Sequence, residues 1–433
     1  MKSVNKFCYS AVAIVIVAFL APVANAQSMW QFGKQYTPKF EETWRHEHAI
    51  PATHCGIGSM TAVDAEGRPL ERYEVVKNRP VAGPFSAGCS YVFEIPASEV
   101  VAGKYIDFNA TFTIGDGAPM DWTLEILDGG VWKEGCRFRC YGDSIYTSAY
   151  HTFRLDNDLN GDIVSIRLRA LEGAVRPVRE GRKNDATVMF IPVTYLGVKI
   201  SDFGLTSPKD TTKVLCLGNS FTYFHGSPVM LKELAWNEGH YLDISASLRG
   251  GWTMAKHFEY PTTVDLVAES GYDYVFLQDQ SRAPAKVGKD RKEHSQLVKD
   301  MVAMAGKVRT ASPECKAMVE CTWAYPAKDA GGFGSYEAFY KFARKGAKIM
   351  SRAIENSKVS PIALAFDIVL KERPDINLYH TDNYHQSKEG SYLKSCVNYL
   401  MLFGEPFGDN PADCLTDKNI ARYLRDVAER VVL

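Results

Sequence analysis

The sequence predicts two domains of different classes, an antiparallel β-sandwich followed by an α/β/α domain built on a parallel sheet. Two observations support this prediction. Between about residues 85 and 200, short runs alternate apolar and polar side chains and are rich in β-branched and aromatic residues, as in strands with one buried face. Beyond residue 213, apolar runs alternate with long helical ones, as in βαβ units whose helices cover both faces of a parallel sheet.

Length and composition agree with this division. The chain has 433 residues, 46% of them hydrophobic and 23% charged, so it can bury a large core. Its formal net charge of −1 gives no electrostatic footprint for nucleic acid. We expect a signal peptide at residues 1–26, a sandwich domain at 27–205 that could bind carbohydrate, and the α/β/α domain at 206–433.

The N-terminal residues are typical of a secretory signal peptide. Lys2 and Lys6 precede an apolar stretch at residues 11–20, and residues 24–26 read Ala-Asn-Ala, a small-residue cleavage site. The stretch is short for a bilayer span, and no later run is both long and apolar. We therefore expect an exported protein, periplasmic or secreted, without stable membrane insertion. The sequence leaves the oligomeric state open.

The predicted elements follow the two rhythms. Strands of the first domain are expected at residues 91–95, 105–114, 122–127, 151–155, 163–171 and 187–200, and residues 27–84 are expected to add early strands or a lead-in. In the second domain the strands are expected at residues 213–217, 242–248, 274–278, 317–323 and 361–366. The helices between and after them are expected at residues 229–238, 292–310, 335–357 and 391–402.

Three residues of the second domain suggest nucleophilic catalysis. Ser220 directly follows the first strand of the parallel sheet, at the edge where functional side chains collect. A serine becomes a useful nucleophile when a base removes its proton and a third group orients that base. His385 and Asp382, three residues apart before the helix at 391–402, are the candidates for these two roles.

These blocks resemble those of SGNH/GDSL-type serine hydrolases, and in particular an exported bacterial subfamily with a GNSF…LQxQS…DxxH pattern. The matching stretches are Gly218-Asn219-Ser220, the Asp382–His385 block and the intervening LRGGWT and LQDQS, within residues 212–408. The resemblance implies a flavodoxin-like fold and a Ser220–His385–Asp382 triad. It also implies ester hydrolysis without metal or cofactor, on a polysaccharide or oligosaccharide substrate carrying O-acetyl groups.

The resemblance also implies an oxyanion site. Its second block places Gly251 there, and its third block, Gly-x-Asn-Asp in the family, reads Gln278-Asp279-Gln280-Ser281 in this chain. The amide of Gln280, one methylene longer than asparagine, is the favoured side-chain donor. Gln278 is an alternative donor and a candidate substrate contact.

Several alternatives stay open at this stage. Trp323, near the crevice, could stack on a sugar ring or belong to the core. The altered third block favours a rival function, a carbohydrate-binding protein whose hydrolase domain is degenerate. A phosphate-binding protein that uses GNSFT is disfavoured because a Gly-Lys-Ser/Thr sequence is absent. Paired CxxC zinc spacing is also absent.

Overall fold

The computed structural model describes residues 26–30, 44–45, 50–51, 58–76, 79–96, 105–141, 147–154, 163–190, 196–201, 211–326, 328–409, 411–414 and 416–433. The apolar stretch of the predicted signal peptide and the predicted domain boundary after residue 205 lie outside these ranges. Within them, no helix is long and apolar enough to cross a membrane.

The strands of the described residues are β1 (Ala26–Trp30), β2 (Trp44–Arg45), β3 (Ile50–Pro51), β4 (Ser59–Val63), β5 (Arg72–Val76), β6 (Arg79–Gly83), β7 (Ser90–Pro96), β8 (Tyr105–Ile114), β9 (Asp121–Asp128), β10 (Val131–Arg139), β11 (Thr147–Arg154), β12 (Ile163–Ala170), β13 (Val188–Phe190), β14 (Leu196–Ser201), β15 (Thr211–Gly218), β16 (Tyr241–Leu248), β17 (Tyr274–Leu277), β18 (Lys316–Glu320) and β19 (Ser357–Ser360). The helices are α1 (Ser220–Tyr223), α2 (Ser227–Asn237), α3 (Met254–His257), α4 (Pro261–Ala268), α5 (Ala283–Lys289), α6 (Ser295–Ala311), α7 (Tyr336–Ala353), α8 (Ile362–Glu372), α9 (Lys388–Phe403) and α10 (Lys418–Val432).

Residues 26–201, called here the β half, form two antiparallel sheets. One has the order β1-β14-β8-β13-β6-β5-β2 with β11 also paired to β8, and the other has the order β10-β9-β12-β7-β4-β3. Alternate side chains of both sheets, such as Phe108 and Phe112 of β8 and Trp122 and Leu124 of β9, belong to one hydrophobic cluster. The predicted antiparallel strands are therefore confirmed, and the sandwich arrangement stays a prediction.

One strand of the β half escaped the sequence analysis. β10 is an edge strand whose side chains are all exposed or half-buried except that of Phe138, and its pairing with β9 is irregular between Glu134 and Cys136. Burial on one face produces the alternation that reveals a strand. An exposed, bulged edge strand lacks that signal.

Residues 211–433, called here the α/β half, form a five-stranded parallel sheet in the order β16-β15-β17-β18-β19. The chain starts at β15, adds β16 on one side and continues with β17 on the other. In open α/β sheets, ligands bind where the strand order reverses in this way, which here is the carboxyl end of β15. Residue 219 follows β15 at that point.

Helices cover both faces of this sheet, as predicted. Val214 and Cys216 point into the cluster that includes buried residues of α2 and α9, whereas Leu215 and Leu217 point into the cluster that includes those of α4 and α6. Strand β15 is therefore buried on both sides, which explains its continuous apolar sequence.

One predicted strand of the α/β half is wrong. The apolar run at residues 361–366 begins helix α8, and the fifth strand is the preceding, more polar β19. Short apolar runs do not distinguish a buried helix from a buried strand. The helix predicted at residues 391–402 is confirmed as α9, and the amphipathic helix α10 follows it.

Candidate active site

Ser220 stands at the tip of β15 because of the tight turn before it. Asn219 caps helix α1, its side-chain oxygen accepting a hydrogen bond from the N–H of Phe221 at 3.1 Å. A side chain at Gly218 would lie 2.7 Å from Oε1 of Gln278, so glycine is required there. Ser220 is 7% exposed. Its N–H, in the first residue of the helix, has no intrahelical acceptor.

The structure brings Ser220, His385 and Asp382 together in one hydrogen-bonded chain. Nε2 of His385 lies 2.7 Å from Oγ of Ser220, and Nδ1 lies 2.6 Å from Oδ2 of Asp382. A carboxylate only accepts, so Nδ1 carries the proton and donates it to Asp382, and Nε2 accepts from the serine hydroxyl. Their order and contacts match those of a catalytic triad. Their catalytic roles stay predictions.

Burial and hydrogen bonds set the charge state of this chain. Burial lowers the pKa of His385, and the bond to Asp382 opposes that shift without reversing it. Burial raises the pKa of Asp382, but hydrogen bonds from the His385 ring and from the N–H groups of Tyr384 and His385 outweigh it and leave the pKa lowered. At neutral pH the histidine is therefore a neutral base beside an ionised carboxylate.

Two residues missed by the sequence analysis hold α1 in place. Nε2 of Gln386 donates to the carbonyl oxygen of Phe221 at 3.1 Å, and the ammonium of Lys394 donates to the same oxygen at 2.9 Å. Lys394 is 1% exposed and also pairs with the buried Glu320 at 2.6 Å. These donors satisfy a carbonyl at the end of a very short helix. The sequence signal that could have identified Lys394 is its four-residue spacing from Asn398, which places both residues on one face of helix α9. Asn398 also contacts Glu320.

The two predicted oxyanion donors lie in separate loops. Gly251 has a φ of +68°, which favours glycine, and none of the described residues accepts a hydrogen bond from its N–H. Gln280 is half-buried; its Oε1 accepts from the N–H of Arg282 at 3.0 Å and its Nε2 donates to Oγ of Ser281 at 3.2 Å. An amide nitrogen carries two hydrogens, so one remains for a substrate.

Two predicted substrate contacts are wrong because the side chains are inside the protein. Trp323 is 0% exposed and stacks between Phe221 and Phe366, at centroid distances of 4.6 and 4.5 Å. Gln278 is 1% exposed, and its Oε1 accepts from the N–H of Asn219 and from Oγ1 of Thr222. Trp323 therefore belongs to the core, and Gln278 fixes the turn before Ser220.

Asn219 and Asp279 tie the three loops of the site together, a role that the sequence analysis did not assign. Nδ2 of Asn219 donates to the carbonyl oxygens of Trp252 at 2.9 Å and Asp279 at 3.3 Å. An aspartate, as in the family's Gly-Asp-Ser block, could not donate these bonds. Oδ1 of Asp279 accepts from the N–H groups of Gln280 at 2.6 Å and Met254 at 3.0 Å. The loops after β16 and β17 are thus joined to each other and to the nucleophile turn.

Comparisons with known proteins give distant similarities. No family model and no curated protein matches the chain. Among solved structures, the chain is similar to a DUF4886 family protein from Bacteroides uniformis, with 18% identity over 51% of this chain and 94% of that one, TM-score 0.44. It is also similar to the acetylxylan esterase Axe2 from Geobacillus stearothermophilus (14% identity, 46% and 97% covered, TM-score 0.35) and to the acetyl xylan esterase Est2A from Butyrivibrio proteoclasticus (11%, 73% and 90%, 0.30). Similarities of this size do not identify the family.

The described residues contain no group of three or more His, Cys, Asp or Glu side chains placed to hold a metal ion. The eight cysteines within the described ranges are all buried except Cys136, which is half-buried. Cys216 of β15 belongs to the hydrophobic core.

Proposed function

We propose that this protein is an exported serine esterase that removes O-acetyl groups from a polysaccharide or oligosaccharide. The observation that carries the proposal is the unbroken hydrogen-bonded chain from Ser220 through His385 to Asp382, at the carboxyl end of β15. A phosphate-binding turn needs no base beside its serine. A degenerate hydrolase has no physical need to keep all three of these residues within hydrogen-bonding distance.

In the first half of the reaction, Oγ of Ser220 attacks the acyl carbon of the ester. The hydroxyl proton passes to Nε2 of His385, and the carboxylate of Asp382 stabilises the imidazolium that forms. Negative charge develops on the acyl oxygen, facing the N–H groups of Ser220 and Gly251 and the amide of Gln280. The imidazolium then gives its proton to the departing sugar oxygen, leaving an acyl-serine.

In the second half, a water molecule takes the place of the alcohol. Nε2 of His385 removes a proton from this water as its oxygen attacks the acyl carbon of the acyl-serine. The same donors hold the second oxyanion. When it collapses, Oγ of Ser220 recovers the proton from His385, and the carboxylic acid leaves.

The surroundings of the triad favour a short acyl group. Ser220 and His385 are each only 7% exposed, and the His385 ring is stacked on Phe224 at 4.0 Å. The Tyr384 ring lies 4.0 Å from His385 and is 37% exposed, so it offers an aromatic face beside the reacting atoms. This combination suits an acetyl group carried on a sugar. Export follows from the predicted signal peptide.

The test is acetate release from acetylated plant and bacterial polysaccharides by the purified chain, compared with Ser220→Ala. We expect release from at least one polysaccharide by the wild type and none above background by the variant. Equal release by both proteins would exclude Ser220 as the nucleophile, and release from none of the polysaccharides would refute the proposed substrate class.

A further inference from the structure

A buried arginine lies where the two halves of the molecule meet, beside the predicted oxyanion loop. Arg249 is 1% exposed, and its guanidinium carbon lies 4.4 Å from the ring centre of Tyr141 in the β half. The rings of Trp252 and Tyr260, from the α/β half, lie 4.7 and 5.9 Å from the same carbon. Guanidinium groups stack favourably on aromatic faces, and more so when water is excluded. We call these four residues the arginine cluster.

Backbone contacts also fix the cluster to the β half. The hydroxyl of Tyr260 donates to the carbonyl oxygen of Arg139 at 2.7 Å. Thr147, the first residue of β11, forms an antiparallel bridge with Arg249. The cluster therefore joins the halves through backbone and ring contacts together.

The same arginine belongs to the turn that carries Gly251. The backbone N–H of Arg249 donates to the carbonyl oxygen of Gly218 at 3.0 Å. The backbone carbonyl oxygen of Arg249 accepts from the N–H of Trp252 at 3.2 Å, which closes the turn. The carbonyl oxygen of Trp252 in turn accepts from Asn219. A displacement of Arg249 would therefore move the Gly251 N–H relative to the nucleophile.

We infer that Tyr141 is a positioning residue of the esterase site, holding Arg249 so that the Gly251 N–H stays aimed at the oxyanion. The inference rests on the proposed function. It makes the β half a working part of the active site, because one ring of the cluster comes from it. Tyr141 acts through Arg249 and does not contact the reacting atoms.

The experiment measures kcat and KM of full-length variants with 4-nitrophenyl acetate. We expect Tyr141→Ala to lower kcat about 10- to 100-fold with KM within about twofold, because a misplacement of about 1 Å can cost about 10²-fold. Tyr141→Phe keeps the ring and should retain most of the kcat. If the alanine variant does not fold, Tyr141→Leu gives the same test.

A second variant tests whether Tyr141 acts through Arg249. Arg249→Lys keeps the charge but loses the planar stacking group, so it should lower kcat as well. If Tyr141 acts through Arg249, the double variant should lose no more than the more damaging single variant. If the kcat losses of the two single variants multiply in the double variant, the two residues act independently, which would contradict the inference.

Trp132→Ala is the matched control. Its ring, also in the β half, lies 4.1 Å from the guanidinium carbon of Arg167, in the β10-β9-β12 part of its sheet. We expect a lower melting temperature with unchanged kcat. A Tyr141→Ala variant that keeps the wild-type kcat, or loses no more than Trp132→Ala, would overturn this inference alone. A wild type without esterase activity would overturn the proposed function and this inference with it.

Discussion

The two sides of Ser220 are built in different ways. On the base side, one short loop supplies both His385 and Asp382, and the carboxylate is held by N–H groups of the same loop. On the side of the predicted oxyanion site, called here the oxyanion side, Gly251 and Gln280 come from two loops that follow different strands. Those loops are joined through Asp279 and Asn219, and the first is joined to the β half through Arg249.

This difference explains how far the site could be predicted. The base side depends on residues three positions apart, so their spacing in the sequence already indicates their contact. The oxyanion side depends on contacts between residues 25 to 60 positions apart, such as Met254 with Asp279 and Asn219 with the Asp279 carbonyl. Local sequence does not encode such contacts.

The largest expected effect is on the base side. His385→Ala should lower turnover about 10⁴-fold or more, because His385 is the group among the described residues that hydrogen-bonds to the Ser220 hydroxyl. Asp382→Asn should cost no more than His385→Ala, since the carboxylate orients the ring and stabilises its charged form. Initial rates of acetyl ester hydrolysis measure both. Rates near wild type for either variant would contradict the assignment.

The next effect is on the oxyanion side. Gln280→Ala should lower kcat about 10²-fold with little change in KM, because the hydrogen bond strengthens as charge develops. Gln280→Glu should be worse, since a carboxylate repels the oxyanion, and Gln280→Asn tests whether the shorter amide still reaches.

Gln278→Ala is the informative comparison for Gln280. Gln278 is buried under the nucleophile turn, so its loss should lower the melting temperature as well as the rate. A wild-type kcat in Gln280→Ala would show that Gln280 does not stabilise the oxyanion.

The elements of the fold also differ in how far the sequence predicts them. Strands β15, β16, β17 and β18 were predictable because both of their faces are largely buried, which gives an apolar run. The start of α8 was mistaken for a strand because it is apolar, and β19 was missed because it is short and polar. β10 was missed because it is exposed, and Asn219, Asp279 and Arg249 acquire their roles only when distant loops meet.

Asp279 predicts a pH-dependent contribution to stability. Burial raises its pKa to about 6, with the N–H groups of Gln280 and Met254 only partly offsetting the shift. Because the folded-state pKa lies above the unfolded value of about 3.9, the folded state binds more protons between about pH 4 and pH 6, and stability falls as pH rises through that window.

Asp279→Asn should remove this dependence. The free energy of unfolding of the variant minus that of the wild type should therefore rise by up to about 3 kcal/mol between pH 4 and pH 7. Urea denaturation at the two pH values measures it. A difference between the proteins that does not change with pH would show that Asp279 titrates normally.

The smallest expected effect is on the pH profile of the base side. Burial lowers the pKa of His385, and the base must be neutral to act, so the acid limb of kcat/KM should have its midpoint below about 6.5. The Asp382 carboxylate raises that pKa, so Asp382→Asn should move the midpoint lower still. An unchanged or higher midpoint in the variant would separate Asp382 from the base.

Covalent labelling tests the central claim most directly. A fluorophosphonate should form a stoichiometric adduct with the full chain, and mass spectrometry of the digest should place it on Ser220. Labelling should disappear in Ser220→Ala and slow by orders of magnitude in His385→Ala, while both variants melt near the wild-type temperature. A chain that stays unlabelled, or an adduct on another residue, would contradict the claim that Ser220 is an activated nucleophile.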